Sequence, residues 1–214
     1  MKPKLLCILG ETASGKDSVV NGAIKLLSDY NIRPVCSYTD RPRRSYETNG
    51  VEHYFVSTEE FFELKEKREC DILAYTHIKN DKSSDHPGYH YMALSDELDT
   101  SHIYIIDYKG LQYLQKLYGD KIDIVSVYIH ASPETRRRRA QAARSDFLTE
   151  FEERMKAEEK QFREFRNKRL YDYKINNDTG KLENSINQLM VIMKYELIRA
   201  DVTNCPNKIS IKNK

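Results

Sequence analysis

The stretch that decides the fold is KLLCILGETASGKDS, residues 4–18. Its first part, residues 5–9, is a short apolar run typical of a buried strand. Gly10 ends this run, Gly15 and Lys16 follow five residues later, and a helical pattern begins directly after them. The order of strand, glycine loop and helix fits the phosphate-binding loop motif G-x-x-x-x-G-K-[ST], except at its last position.

The chemistry of this loop suits a polyphosphate. Glycines let the backbone N–H groups turn towards an anion, and the N-terminus of the following helix adds its positive dipole end. Lys16 supplies a point charge for the terminal phosphates. Asp17 stands where the motif has a hydroxyl, and Ser18 comes one place later. The alternative is an ordinary glycine turn with a surface lysine, but the flanking strand and helix favour the phosphate loop.

The composition indicates one globular domain with a charged surface. The chain has 214 residues, of which 39% are hydrophobic and 32% are charged. Its net charge of +2 argues against a polycation that binds nucleic acid. No stretch approaches the length needed to span a membrane. Its four cysteines are widely spaced and predict reduced thiols in a cytoplasmic protein; they are Cys7, Cys36, Cys70 and Cys205.

Strand and helix patterns alternate along the chain, which predicts an α/β domain with a mainly parallel sheet. Predicted strands cover residues 34–38, 54–56, 103–107, 124–129 and 173–176. Predicted helices cover residues 17–30, 57–67, 111–118 and 182–200. Ser57 and Glu60 have the spacing of a capping box at the start of the second of these helices.

A second chemical signal is the group of three arginines in residues 41–44, just after a predicted strand. Guanidinium groups match phosphate oxygens with paired hydrogen bonds, so the group fits a clamp for a phosphomonoester. A solvated basic loop is the alternative. The phosphate loop elsewhere in the chain favours the clamp.

With these motifs in order, the chain resembles the guanylate kinase family, over residues 4 to about 198. That family has S-x-x-T-R-x-P-R after its second strand, and Ser37, Arg41 and Arg44 fall on its serine and two arginines. Glu47 and Gly50 continue the family pattern without a gap. The family's remaining acceptor-binding positions fall on His53, which replaces a tyrosine, on Tyr91 and on Asp107.

Later motifs extend the resemblance. The family's lid arginines fall on Arg139, Arg144 and Arg154, which the resemblance assigns to the transferring phosphates. Asn177 matches the asparagine near the ATP base. The family's guanine-reading glutamate should fall near Ile72, and Ala93 replaces a hydroxyl residue, so these two positions depart from the pattern.

The resemblance implies a P-loop fold of three α/β/α layers and transfer of the ATP γ-phosphoryl group to a nucleoside monophosphate, GMP or dGMP. It implies a core of residues 1–36 and 97–200, an acceptor-binding lobe at about 37–96, a lid at about 136–160 and a polar tail at 201–214. Mg²⁺ would lie near Ser18 and Asp17. A monomer and a homodimer both fit. The ATP-binding residues would be Gly10, Thr12, Ala13, Ser14, Gly15, Lys16, Asp17, Ser18 and Asn177.

Two other functions stay open at this point. A ribose 1,5-bisphosphate phosphokinase also reads G-K-D-S in its loop, so Asp17 and Ser18 favour a sugar-phosphate acceptor, while Arg44 counts against it. A guanylate-kinase-like module without catalytic activity is the second alternative. Retention of Lys16 and of the arginines argues against that module, because a scaffold does not need them.

Overall fold

The computed structural model describes residues 2–45, 47–78, 88–99, 102–143 and 148–198. The predicted tail at 201–214 lies outside these ranges, as does Arg144. The strands are β1 Lys4–Leu9, β2 Ser37–Thr39, β3 His53–Phe55, β4 Ile72–Ile78, β5 Tyr89–Leu94, β6 Ile103–Ile105, β7 Asp123–His130 and β8 Tyr173–Asn176. The α-helices are α1 Lys16–Leu26, α2 Thr58–Lys67, α3 Tyr108–Tyr118, α4 Pro133–Ala143, α5 Leu148–Asn167 and α6 Leu182–Met193.

A parallel sheet forms the centre of the molecule, with strand order β6-β1-β7-β8. β1 lies between β6 and β7, so the apolar run that opens the chain is paired on both sides. All four strands point the same way, so their carboxyl ends meet at one edge of the sheet, where ligands of open α/β sheets bind.

Helices cover both faces of this sheet, and successive side chains of β1 alternate between the two faces. Leu5, Cys7 and Leu9 pack in a cluster with residues of α3 and α5. Leu6 and Ile8 pack in a second cluster with residues of α1 and α6. The predicted three-layer fold with a mainly parallel sheet is therefore confirmed.

A second, mixed sheet has the strand order β3-β2-β5-β4. β2 pairs with β3 in parallel and with β5 in antiparallel fashion. α2 covers one side of this sheet through Phe61, which is fully buried against Met92 and Leu94. All of this sheet falls within the range predicted for the acceptor-binding lobe.

The predicted strand at residues 34–38 is wrong as a single element. Pro34 pairs with Ile103 at the edge of the parallel sheet, whereas β2 begins at Ser37 and belongs to the mixed sheet. One apolar run thus serves two sheets, which periodicity alone cannot reveal.

The helix ends also differ from their predicted positions. α1 ends at Leu26, and Ser28–Tyr30 forms a separate 3₁₀ turn. α6 ends at Met193 and continues as a π-helical turn over Lys194–Ile198. The capping box is confirmed, because the Ser57 side chain accepts from the N–H of Glu60 and the Glu60 side chain accepts from the N–H of Ser57. Within the ranges given above, no helix combines the length and the apolar character that crossing a membrane requires.

Candidate active site

The glycine loop turns sharply between β1 and α1. Ala13 and Gly15 both have positive φ angles, 60° and 85°. A Cβ atom at Gly15 would lie 2.6 Å from Nδ2 of Asn177, and one at Gly10 would lie 2.3 Å from the carbonyl oxygen of Ile129. Backbone atoms cannot yield at such distances, so Gly10 has to lack a side chain for the loop to lie this close to β7.

Lys16 folds back across this loop. Its Nζ donates to the carbonyl oxygen of Gly10 at 2.7 Å and to that of Glu11 at 3.2 Å. Burial lowers the pKa of Lys16, and the nearby carboxylates of Asp17 and Glu158 oppose that effect. The amine therefore lies inside the curve of the loop, where the terminal phosphates of a bound nucleotide would need a positive charge.

A buried ionic network underlies the loop, and sequence reasoning missed it. Glu11 is 1% exposed and accepts from Nη1 of Arg166 at 2.5 Å and from the hydroxyl of Tyr128 at 3.0 Å. Thr12 is held by Arg136 and Glu158. The sequence did contain one signal for such a network, because a glutamate follows directly after the first glycine of the loop, at the end of a predicted buried strand.

A cavity of about 250 Å³ lies between the mixed sheet and the end of β6. The mixed sheet contributes side chains from β2, β3, β4 and β5, and the rest of the lining comes from the end of β6 and the start of α3. The lining residues are Ser37, His53, Ala74, Thr76, Tyr91, Met92, Ala93, Tyr104, Ile105, Ile106, Asp107 and Gly110. Four residues that the sequence assigns to acceptor binding line this cavity: Ser37, His53, Tyr91 and Asp107.

The arginine pair lies beside this cavity and is organised by one buried carboxylate. Arg41 donates from Nη1 and Nη2 to both carboxylate oxygens of Glu47, at 3.0 and 2.8 Å, and from Nε to the hydroxyl of Tyr91 at 3.1 Å. Glu47 also accepts the backbone N–H of Arg44. Hydrogen bonds from Arg41 lower the pKa of Glu47 to about 2, so this carboxylate is charged at neutral pH.

His53 and Ser37 form a hydrogen-bonded pair in the cavity wall. Nδ1 of His53 lies 2.8 Å from Oγ of Ser37, and its ring packs edge-on against Tyr91. Burial, with a smaller contribution from the positive charge of Arg41, lowers the pKa of His53. The imidazole is therefore neutral at pH 7, and it holds the serine hydroxyl beside the tyrosine.

The loop and the cavity open at the same edge of the parallel sheet. Ile8 pairs with Ile105, and the N–H of Ile106 donates to the carbonyl oxygen of Ile8 at 3.1 Å. The register therefore places Gly10 and Asp107 at the ends of neighbouring strands, and such strands are about 4.8 Å apart. The glycine loop and the cavity therefore lie at adjacent strand ends.

The acidic residues near this edge have distinct positions. Asp107 is exposed and caps α3, because its Oδ1 accepts the N–H of Gly110 at 2.7 Å. Asp17 and Ser18 are exposed in the first turn of α1. Within the part of the chain that the structure covers, no three His, Cys, Asp or Glu side chains cluster to hold a metal ion alone. The oxygens of Asp17 and Ser18 fit Mg²⁺, which binds one or two protein oxygens together with phosphates and water.

Of the remaining predicted residues, Arg139 and Asn177 contact the glycine loop. Arg139 donates to the carbonyl oxygen of Ser14 at 3.0 Å and to that of Asn177 at 2.8 Å. Asn177 is fully buried and donates from Nδ2 to the same Ser14 carbonyl. Arg154 lies in α5, and its side chain is outside the described part of the chain, as is all of Arg144.

Comparison with known proteins finds relatives along most of the chain. The sequence model of the guanylate kinase family matches residues 2–196. A guanylate kinase of Porphyromonas gingivalis is 30% identical over 183 residues, which are 82% of this chain and 89% of that protein. A guanylate kinase of Symbiobacterium thermophilum is 31% identical over 202 residues, which are 92% and 89% of the two chains.

A solved structure shows the likeness of fold. The crystal structure of guanylate kinase from Anaplasma phagocytophilum superimposes with a TM-score of 0.60 at 22% identity, over 91% of this chain and 87% of that one. The family match covers both the glycine loop and the residues that line the cavity, from β1 to the π-helical turn after α6. This chain therefore belongs to the guanylate kinase family.

Proposed function

We propose that the protein transfers the γ-phosphoryl group of ATP to GMP or dGMP, giving ADP and a nucleoside diphosphate. Family membership supports this class of reaction. The observation that carries the proposal is the shared edge of the parallel sheet, at which the glycine loop and the cavity both open. Phosphoryl transfer needs donor and acceptor in line, and two sites on neighbouring strand ends supply that alignment.

On the donor side, the loop amides and Lys16 hold the ATP phosphates. Backbone N–H groups in a turn of this kind, together with the N-terminus of the following helix, favour negative charge. Asp17 and Ser18 would hold Mg²⁺, which neutralises charge on the phosphates when it is bound. The proposed donor residues run from Gly10 to Ser18, together with Asn177, whose contact with Ser14 supports the shape of the loop.

On the acceptor side, Arg41 and Arg44 clamp the phosphate of the nucleoside monophosphate. Ser37, His53 and Tyr91 add hydrogen-bond donors from the adjoining cavity wall. Glu47 holds Arg41 in place, because its charged carboxylate accepts two bonds from that guanidinium. Asp107 is proposed to accept from the guanine N–H edge, since its carboxylate lines the cavity.

The lid completes the proposed mechanism. Residues 136–160 would close over the transferring phosphoryl group and exclude water. Arg139, Arg144 and Arg154 are its proposed catalytic arginines. An arginine that stabilises the transition-state charge is worth on the order of 10³ or more in rate. We also propose a cytoplasmic location, where the substrates ATP and GMP occur.

The family match does not favour the two alternative functions, a kinase of ribose 1,5-bisphosphate and a module without catalysis. The test is ADP release with ATP and a panel of ribo- and deoxynucleoside monophosphates, with ribose 1,5-bisphosphate included. GMP or dGMP should give the highest kcat/KM. A higher value for ribose 1,5-bisphosphate, or no ADP release with any acceptor, would contradict the proposal.

The role of the loop is tested with Lys16→Ala. Removing the amine takes the positive charge from the ATP phosphates, so ADP formation should fall at least about 10³-fold while circular dichroism shows an intact fold. Lys25→Ala, in the last turn of the same helix, is the matched control and should retain the activity. Equal activity of the two variants would refute the assignment of Lys16.

A further inference from the structure

Thr12 in the glycine loop has all of its polar groups engaged by two side chains from outside the loop. Its N–H donates to Oε2 of Glu158 at 2.8 Å, and its hydroxyl donates to Oε1 of the same carboxylate at 2.5 Å. Its carbonyl oxygen accepts from Nε of Arg136 at 2.7 Å. Arg136 also donates from Nη2 to Glu158 at 2.8 Å, which closes the arrangement into a ring.

Because peptide groups are planar, these contacts also set the orientation of the neighbouring N–H and C=O groups of the loop. In a trans peptide the C=O and the N–H point in opposite directions. Because Arg136 holds the Thr12 carbonyl, the N–H of Ala13 points the other way. Because Glu158 holds the Thr12 N–H, the carbonyl of Glu11 points away from it, and that carbonyl accepts from Nζ of Lys16 and from the N–H of Ser14.

The two side chains come from different helices; Arg136 is buried, and the side chain of Glu158 is 21% exposed. Arg136 projects from α4 and is 2% exposed, whereas Glu158 projects from α5. Charge-assisted hydrogen bonds are about twice as strong as neutral ones. Arg137, the next residue on α4, instead pairs at the surface with Glu152, and its side chain is 47% exposed.

We propose that Arg136 and Glu158 are positioning residues that brace the phosphate loop in its ATP-binding conformation through Thr12. The inference rests on the proposed function only in that the loop binds ATP. The brace also joins the loop to α4 and α5, the helices of the proposed lid. The brace should affect the binding of ATP and not the binding of the acceptor, since neither residue lines the acceptor cavity.

The first test is Arg136→Lys, which keeps the charge but cannot donate to Thr12 and Glu158 in the same fork geometry. Calorimetry should show ATP binding about tenfold weaker, which is the loss of one charge-assisted hydrogen bond. GMP binding should stay within about twofold of wild type. Arg137→Gln is the matched control and should change neither affinity.

Glu158→Gln separates the brace from simple electrostatics. Removing a negative charge beside Lys16 should by itself strengthen the binding of the anionic ATP. The brace predicts the opposite sign, about three- to tenfold weaker ATP binding, because the amide pairs less strongly with Arg136. This partly exposed position also provides the test if Arg136→Lys does not fold.

Each outcome bears on the proposal. Equal weakening of ATP and GMP binding in the folded variants would show a general structural role and overturn the brace, as would unchanged or tighter ATP binding in Glu158→Gln. Wild-type protein that binds ATP but releases no ADP with GMP would refute the proposed function and leave the brace to be judged on ATP affinity. Wild-type protein that does not bind ATP would overturn both.

Discussion

At the scale of single residues, Glu47 decides the shape of the arginine clamp. It is 5% exposed, and it accepts bonds from the Arg41 guanidinium and from the Arg44 backbone. The sequence predicted the two arginines from their own chemistry. It gave no role to Glu47, because the pairing of an arginine with a carboxylate six residues away depends on how the intervening loop turns.

Glu47→Gln tests this pairing through the pH dependence of stability. The pKa of Glu47 is about 2 in the folded protein, below its ordinary value of 4.5 in the unfolded chain. The pairing therefore stabilises the fold above pH 4.5, and this stability is lost as the pH falls towards 2. We expect the free energy of unfolding of Glu47→Gln to be about 2–3 kcal/mol lower than that of wild type at pH 7.

Urea unfolding at pH 7 and at pH 3.5 measures the effect. The difference in the free energy of unfolding between Glu47→Gln and wild type should be smaller at pH 3.5. At that pH wild type loses part of the stabilisation from the charged Glu47 carboxylate, which the variant lacks at both pH values. Glu52→Gln, an exposed neighbour, is the control. The same difference in the free energy of unfolding at both pH values would contradict the assigned pairing.

Arg44→Ala tests the clamp on the acceptor side. The Arg44 side chain is 45% exposed and lies 3.7 Å from Glu47, so its removal should leave the fold intact. We expect KM for GMP to rise about tenfold or more while KM for ATP stays within about twofold, because one charge-assisted bond to the phosphate is lost. Equal changes in both constants would argue against an acceptor clamp.

At the scale of elements, a feature held by local hydrogen bonds could be predicted from the sequence, whereas pairing between distant strands could not. The capping box at Ser57 was predicted from four residues and is confirmed, because both of its hydrogen bonds are local. The strand at 34–38 was predicted as one element, but the run is divided between an isolated bridge at Pro34 and β2. Pro34 pairs with Ile103 of β6, whereas Tyr38 pairs with Met92 of β5, and neither partner is near in sequence.

Ser57→Ala should destabilise the protein by about 1 kcal/mol, because the N–H of Glu60 loses its side-chain acceptor. Ser57→Gly should cost only a few tenths of a kcal/mol, since glycine is well tolerated at this position. Thermal unfolding of the two variants measures the difference. An alanine variant as stable as wild type would mean that the hydrogen bonds of this cap contribute nothing net.

At the scale of the whole molecule, the sequence predicted the fold class and assigned to acceptor binding four residues that line the cavity, Ser37, His53, Tyr91 and Asp107. Strand and helix periodicity, with the loop motif, was sufficient for the parallel sheet. Arg136 and Glu158 could not be predicted as partners in the network around Glu11, because they lie more than a hundred residues away along the chain and meet it only through side-chain geometry. Other residues of the cavity wall were missed for the same reason, as with Thr76 and Tyr104.

A bisubstrate analogue tests the arrangement of the two sites. Adenosine and guanosine joined through five phosphates should bind with one molecule per chain and at least about 10²-fold more tightly than ATP or GMP, because the second contact becomes intramolecular. Calorimetry gives both the stoichiometry and the affinity. Binding of two analogues per chain, or an affinity no better than that of ATP, would show that the sites do not face each other.

The hydrogen-bond register between β1 and β6 has a consequence for how such an enzyme can diversify. A slip of one residue would shift the cavity along the strand by about 3.3 Å relative to the loop. That displacement is as large as the whole separation of reacting atoms in a productive complex, about 3–3.5 Å. The transfer distance is thus fixed by main-chain pairing, whereas side chains such as Ala74, Thr76 and Ala93 shape the cavity. We expect substitutions at these wall positions to alter the choice of acceptor and to leave the reaction geometry unchanged.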